Sequence, residues 1–211
     1  ISWLDNNSGC KGVCQRVNTE LLFEQQQNPL CIEGQCLDTV LLQALEQQLQ
    51  KPLTADRLIV LHQLGSHGPE YFKRSSAQDK RFLPECTDKQ LQLCQSADIV
   101  NAYDNSIVAT DSLLAAVIQR LSQQHNNQTA LMYLSDHGES LGENGIYLHG
   151  LPYWMAPKAQ TQVPMLWWMS KAYAASQQLT SDCVASKQHN SYSHDNLFHS
   201  LLGLFQIKTT V

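Results

Sequence analysis

The chain lacks any apolar run long enough to cross a bilayer. Stretches such as Val163-Pro164-Met165-Leu166-Trp167-Trp168-Met169 fall far short of the roughly 20 residues that a spanning helix needs. It also lacks a cluster of lysine and arginine. Fourteen basic against 19 acidic residues leave a net charge of −5, and a nucleic-acid surface needs concentrated positive charge, so nucleic acid is excluded as the main partner. There are no internal repeats, low-complexity tracts or linker-like stretches, and 211 residues suit one α/β domain with a full core. No Gly-x-Ser-x-Gly elbow is present to carry a serine nucleophile. No two cysteines have the two-residue spacing usual in zinc ribbons.

What is present begins with those cysteines. There are seven, and six fall as close pairs: Cys10 with Cys14, Cys31 with Cys36, and Cys86 with Cys94. Each pair lies in a Gly-, Pro- or Glu-containing, loop-like segment, so local disulfides and an oxidising compartment are expected. Cys183 is left over, and an odd cysteine in an oxidised protein suggests a missing partner. With isoleucine at position 1, the chain is expected to be an excised piece of a longer protein.

Hydrophobic periodicity organises the rest. Residues 1–36 read as loop. Leu37, Leu41, Leu45 and Leu49 make a helical stripe ending near Gln50. A strand follows at 57–64, then a long loop, 65–94, with Pro69, Pro84 and one cysteine pair. Tyr103, Ile107, Leu114, Ile118 and Leu121 share one face of a helix over 97–123. Strands are expected at 129–135 and 163–169, separated by a second long loop, 138–161. A polar loop then runs to about 192, and a helix from Asp195 to Phe205 closes the chain. Alternating strands and helices imply an α/β fold with a mostly parallel sheet and helices on both faces.

The densest chemistry follows the apolar run Ala130-Leu131-Met132-Tyr133-Leu134, where Ser135-Asp136-His137-Gly138-Glu139 sits at a strand's C-terminal end. Ligands of open α/β sheets bind at that edge, and zinc accepts both oxygen and nitrogen donors. Alone, Asp136 and His137 read more readily as a structural pair, with Asp136 capping a turn. His67-Gly68, after the earlier strand, and His149-Gly150, in the following loop, favour a metal instead. The glycines would let backbone approach a bound anion. Lys11, between Gly9 and Gly12 beside a cysteine pair, suits phosphate contact, with a solvated lysine as the alternative. His62 reads as packed, and His125, His189, His194 and His199 as surface residues. Trp154, Trp167 and Trp168 read as core or loop packing.

The run from Ser135 through Asp136, His137, Gly138, Glu139, Gly142, Glu143, Asn144 and Gly145 to His149-Gly150-Leu151-Pro152 resembles the signature of lipid A phosphoethanolamine transferases, both chromosomal and mobile colistin-resistance enzymes. So do His62 to Pro69, Asn101 to Asn105, Gly9 to Cys14 and Asp195 to Phe198, and the likeness extends from about Asp5 to Phe205. The resemblance implies an alkaline-phosphatase-like three-layer α/β/α sandwich, incomplete at the N-terminus. It implies that residues 1–211 are a single, monomeric periplasmic catalytic domain, held to the bacterial inner membrane by upstream helices. Zinc is expected at Asp136 and His137. His67, His149 and Glu139 are expected near a second zinc or the substrate phosphate, with Asn7 and Lys11 binding substrate.

The implied reaction moves phosphoethanolamine from phosphatidylethanolamine to a catalytic threonine, then to a lipid A phosphate, giving polymyxin resistance. Thr19, Thr39, Thr54, Thr110 and Thr129 do not stand at the required strand-to-helix turn. The nucleophile is therefore expected upstream of Ile1, and the fragment itself is expected to be inactive. Two rivals are a related metal-dependent phosphatase or sulfatase-like hydrolase and a non-catalytic metal-binding domain.

Overall fold

Residues 1–25 and 27–210 are described by a computed structural model. Their strands and helices run, in chain order, β1 (Ser2–Asp5), β2 (Asn18–Leu21), β3 (Cys31–Ile32), β4 (Gln35–Cys36), α1 (Thr39–Gln50), β5 (Ile59–His62), α2 (Ser96–Ser122), β6 (Ala130–Leu134), β7 (Ser140–Leu141), β8 (Tyr147–Leu148), α3 (Lys158–Thr161), β9 (Met165–Met169), α4 (Lys171–Ser176), α5 (Ser181–Ala185) and α6 (Asn196–Leu204). They form two compact units, one of residues 1–117 with 138–161 and one of residues 118–137 with 162–211.

In the first unit, β1 is the middle strand of a parallel sheet ordered β2-β1-β5. Side chains alternate across a strand, so Leu4 is buried on one face while Trp3 and Asp5 share the other. Leu4 stands opposite Glu20 in β2 and Leu61 in β5. Helix α1 meets β1 and β5, and its stripe buries Val40, Leu41, Ala44, Leu45 and Gln48.

The long segment 65–94 builds a core of its own. Tyr71, Cys86 and Leu91 are buried against Ile99 and Ala102 of α2, with Tyr103, Leu141, Tyr147 and Leu148 packed around them. Buried Asn105 fastens this segment to α2: its Oδ1 accepts from Arg81 N (2.8 Å) and Phe82 N (2.9 Å), and its Nδ2 donates to Phe82 O (2.9 Å). The three expected disulfides, Cys10–Cys14, Cys31–Cys36 and Cys86–Cys94, are all formed. Short loops of this kind each gain roughly 2–3 kcal/mol or less from closure.

In the second unit, β6 pairs with β9, Leu131 standing opposite Trp168 and Tyr133 opposite Leu166. This pair is antiparallel, whereas the parallel pairing expected of the fold is that of β2-β1-β5. Residues 170–192, read as polar loop, contain α4 and α5 because two hydroxyls cap them. Ser170 accepts from Tyr173 N and Thr180 from Cys183 N. Cys183 is exposed and unpaired.

Candidate active site

Parallel pairing sets Asp5 beside His62, so β1 and β5 end together and open into adjacent loops. The buried Asp5 carboxylate organises them. Its Oδ2 accepts from Trp3 Nε1 and lies 3.0 Å from His62 Nδ1, while its Oδ1 accepts from Asn7 N at 2.8 Å. Asn7 then donates through Nδ2 to Gln63 O (3.3 Å), joining the two loops.

A second carboxylate, Asp38 just before α1, accepts from Leu64 N (3.0 Å), Gly65 N (2.7 Å) and Asn6 Nδ2 (2.7 Å). Burial pushes its carboxyl above the ordinary aspartate value, and those three donors pull the other way. Beyond this clamp, Arg74 Nε donates to His67 O at 2.9 Å, and α2 adds a bond from Ser106 Oγ to Ser66 Oγ at 2.7 Å. The stretch 64–67 is thereby held from several sides. Neither Asp38 nor Arg74 carried a signal in the sequence, since each sits outside any motif.

Glu139 is the hub of the first unit's site. It is only 7% exposed. Its Oε1 accepts from Gly68 N (3.3 Å) and lies 3.0 Å from His149 Nδ1, and its Oε2 accepts from Tyr71 Oη (3.3 Å). Burial first, then the neighbouring Glu139, raises the Tyr71 phenol well above its usual pKa, so it stays protonated as a donor. The His67 and His149 rings meet edge to face with centroids 5.0 Å apart, and one ring nitrogen of each lies within 4.8 Å of the other. His67 Nδ1 lies 2.8 Å from Gly68 O. A carboxylate on one imidazole nitrogen is the usual device for orienting a metal-ligating histidine. The structure thus brings His67, Glu139 and His149 together: the two imidazoles can ligate a metal ion or donate to a phosphate, and Glu139 stands behind His149.

The motif glycines serve the chain itself. A Cβ on Gly68 would lie 2.5 Å from Leu148 Cδ2 and 2.7 Å from Tyr71 Oη, and one on Gly138 would lie 2.0 Å from Ala159 O. They permit close packing of these segments, not only approach to an anion. Asn7 is half-buried, and Lys11 is exposed on the Cys10–Cys14 loop with φ 48°. Among the described residues no hydrogen bond joins Lys11 to Glu139 or the two histidines.

In the second unit, β6 delivers Asp136 and His137 to its C-terminal end. Asp136 Oδ2 lies 3.8 Å from His137 Nε2, and Asp136 Oδ1 accepts from His137 N at 3.0 Å. Two ligands held about 2 Å from one zinc ion stand roughly 3–4 Å apart, so this separation is compatible with one shared ion. His194 Nε2 lies 2.9 Å from Ser135 O. His194 is exposed, as expected, and its neighbour Ser135 could not have been found from spacing, since the two lie 59 residues apart.

The fold is an α/β fold of the sulfatase type. Residues 1–207 match the sulfatase family model, and the chain belongs to the sulfatase family. It is 45% identical over 211 residues to phosphoethanolamine transferase EptA of Escherichia coli (strain K12), covering 99% of this chain and 38% of that protein. Among solved structures it is similar to the soluble domain of lipooligosaccharide phosphoethanolamine transferase A from Neisseria meningitidis, at 40% identity and a TM-score of 0.93, over 96% of this chain and 61% of that one. The integral membrane form of that protein matches with the same score, and this chain covers 38% of it. The C-terminal periplasmic domain of phosphoethanolamine transferase EptC from Campylobacter jejuni matches at 40% identity with a TM-score of 0.83, over 99% of this chain and 63% of that one. The chain spans 38% of the length of the curated relative above. Among the described residues no helix is long and apolar enough to cross a membrane.

Proposed function

We propose that the intact protein transfers phosphoethanolamine from phosphatidylethanolamine to a lipid A phosphate at the periplasmic face of the bacterial inner membrane. One observation carries the reading: His67, Glu139 and His149 converge within a chain 45% identical to a phosphoethanolamine transferase. The descriptions of similar structures as an integral membrane protein and a periplasmic domain support the location.

In this reading Asp136 and His137 hold a zinc ion, and His67 and His149 hold a second ion or the substrate phosphate. Bound zinc supplies charge that stabilises phosphoryl oxygens and acidifies a hydroxyl. Glu139 orients the His149 ring. Lys11 offers an ammonium, and Asn7 an amide, to the phosphate oxygens. Transfer goes through a threonine ester: the threonine oxygen bonds phosphorus as diacylglycerol leaves, and a lipid A phosphate oxygen then displaces the threonine. No threonine of residues 1–211 is assigned that role. The added amine offsets negative charge on lipid A, which lowers the affinity of cationic polymyxins.

The test is a transfer assay on the intact protein with fluorescent phosphatidylethanolamine and lipid A. Lipid A gains one phosphoethanolamine by mass spectrometry, a chelator abolishes the gain, and zinc restores it. Membership of the sulfatase family supports a second reading, a hydrolase that passes the group to water. Free phosphoethanolamine without modified lipid A would establish that reading instead.

A further inference from the structure

Directly after His149 and Gly150 the chain turns through Leu151-Pro152-Tyr153-Trp154-Met155-Ala156-Pro157-Lys158. Tyr153 is 86%, Trp154 83% and Met155 52% exposed. Trp154 was expected to pack, and it does not, because the turn carries it away from the core. The turn is not loose. Met155 N and Ala156 N both donate to Pro152 O, at 2.8 and 2.9 Å, and Gln160 N donates to Pro157 O at 2.9 Å. Gln160 is buried, gives its Nε2 to Ser140 Oγ at 3.0 Å, and accepts from Gly138 N at 3.0 Å. The tip therefore stands on a base shared with the Glu139 segment.

Single exposed apolar residues are ordinary. Three in a row, on a fixed turn, form a contact surface. A stable protein interface buries roughly 800 Å² on each side, more than a three-residue tip supplies. A bilayer surface needs no matching groove. Tyrosine and tryptophan concentrate at the level of lipid headgroups, where the ring body is apolar and the polar edge stays wet. Charge agrees with a lipid partner. No aspartate or glutamate occurs from Ile146 to Val163, and exposed Lys158 stands at the base, in a chain whose net charge is −5. Tyr153 stands four positions after His149, so their Cα atoms are at most about 14 Å apart. The headgroup layer of one leaflet is itself roughly 5–8 Å deep. A phospholipid whose glycerol end rests at the tip can therefore bring its phosphate towards His149.

We propose that Tyr153, Trp154 and Met155 form a lip that seats on a phospholipid surface and presents the lipid headgroup to His149. The inference rests on the reading of His149 as a phosphate-side residue. The lip engages lipid without chemistry, so its binding is separable from turnover.

The probe is a large unilamellar vesicle of phosphatidylethanolamine and phosphatidylglycerol, with and without bromine on the acyl chains. The 211-residue chain is expected to co-sediment with these vesicles and to lose tryptophan emission on the brominated ones. Trp154→Phe is expected to remove most of that quenching while binding persists, with Trp3, Trp167 and Trp168 as internal references. Tyr153→Ser with Trp154→Ser is expected to weaken partitioning by about tenfold or more, with the far-ultraviolet spectrum and the disulfides unchanged. In the intact protein the same double variant is expected to raise KM for vesicle-borne donor and spare a soluble short-chain donor. Lip-dependent vesicle binding by a protein that transfers nothing would uphold the lip and defeat the transferase reading. Wild type that ignores vesicles would overturn the lip. So would quenching that survives Trp154→Phe, or a vesicle-free dimer that the double variant dissolves.

Discussion

Glu139 Oε1 lies 3.0 Å from His149 Nδ1, and the same oxygen accepts from Gly68 N, 71 residues away in sequence. One buried carboxylate thus ties the loop bearing His67 to the loop bearing His149. Glu139→Gln keeps the shape and one acceptor but removes the negative charge beside His149 Nδ1. The expected result is a metal affinity or activity of the intact protein about 10- to 100-fold lower, with melting temperature nearly unchanged. Equal zinc affinity by calorimetry in both forms would mean that Glu139 acts only in packing.

Asp38→Ala strips Leu64 N and Gly65 N of their acceptor and leaves Asn6 Nδ2 with only Cys36 O. A buried donor left unsatisfied costs roughly 1–3 kcal/mol, and urea denaturation is expected to register a loss of at least that size. The pH dependence has a definite sign. Burial raises the folded-state pKa of Asp38 above 3.8, so the folded chain holds this proton more tightly than the unfolded chain does. The contribution is full below about pH 3.8 and is lost as pH rises through the raised value. The stability of wild type relative to Asp38→Asn is expected to fall over that window and then level off. A difference that grows with pH would show that the three donors outweigh burial.

Two glycine substitutions are expected to act in opposite directions. Gly138→Ala forces a methyl to within 2.0 Å of the Ala159 carbonyl oxygen, where only backbone movement gives relief, and a loss of about 1–3 kcal/mol or more is expected. Gly203 lies in α6 with nothing within 4 Å of an added Cβ. Gly203→Ala is expected to stabilise by roughly 0.5–1 kcal/mol through lower backbone entropy of the unfolded chain. Denaturation midpoints of the two variants decide both.

Alkylation before reduction is expected to label Cys183 alone, with the other six cysteines protected as Cys10–Cys14, Cys31–Cys36 and Cys86–Cys94. Peptide mapping that finds label on any of the six, in protein folded under oxidising conditions, would contradict the pairing.

The long periodic elements were legible in the sequence. Helices α1 and α2 and strands β6 and β9 lie within a residue or two of where their stripes and apolar runs placed them. β1 was not legible, because it has four residues and one of them is a buried, charged Asp5. β2 is Asn-Thr-Glu-Leu, too polar to read as a strand, and gains its place only by pairing with β1. The core under 65–94 rests on Tyr71, Cys86 and Leu91, spaced too irregularly for any period. The site divides the same way. Asp136, His137, His67 and His149 stood out by motif, whereas the supports Asp5, Asp38 and Arg74 act through contacts that no spacing encodes.

The bond from Gly138 N to Gln160 O closes the 138–161 segment at its neck. A segment tied at both ends transmits little of what happens at its far end, and exposed loop tips tolerate exchange best. Residues 151–157 are thus a replaceable cassette: their composition can drift, and with it the surface this chain prefers, while Glu139 and Ser140 stay where the neck holds them.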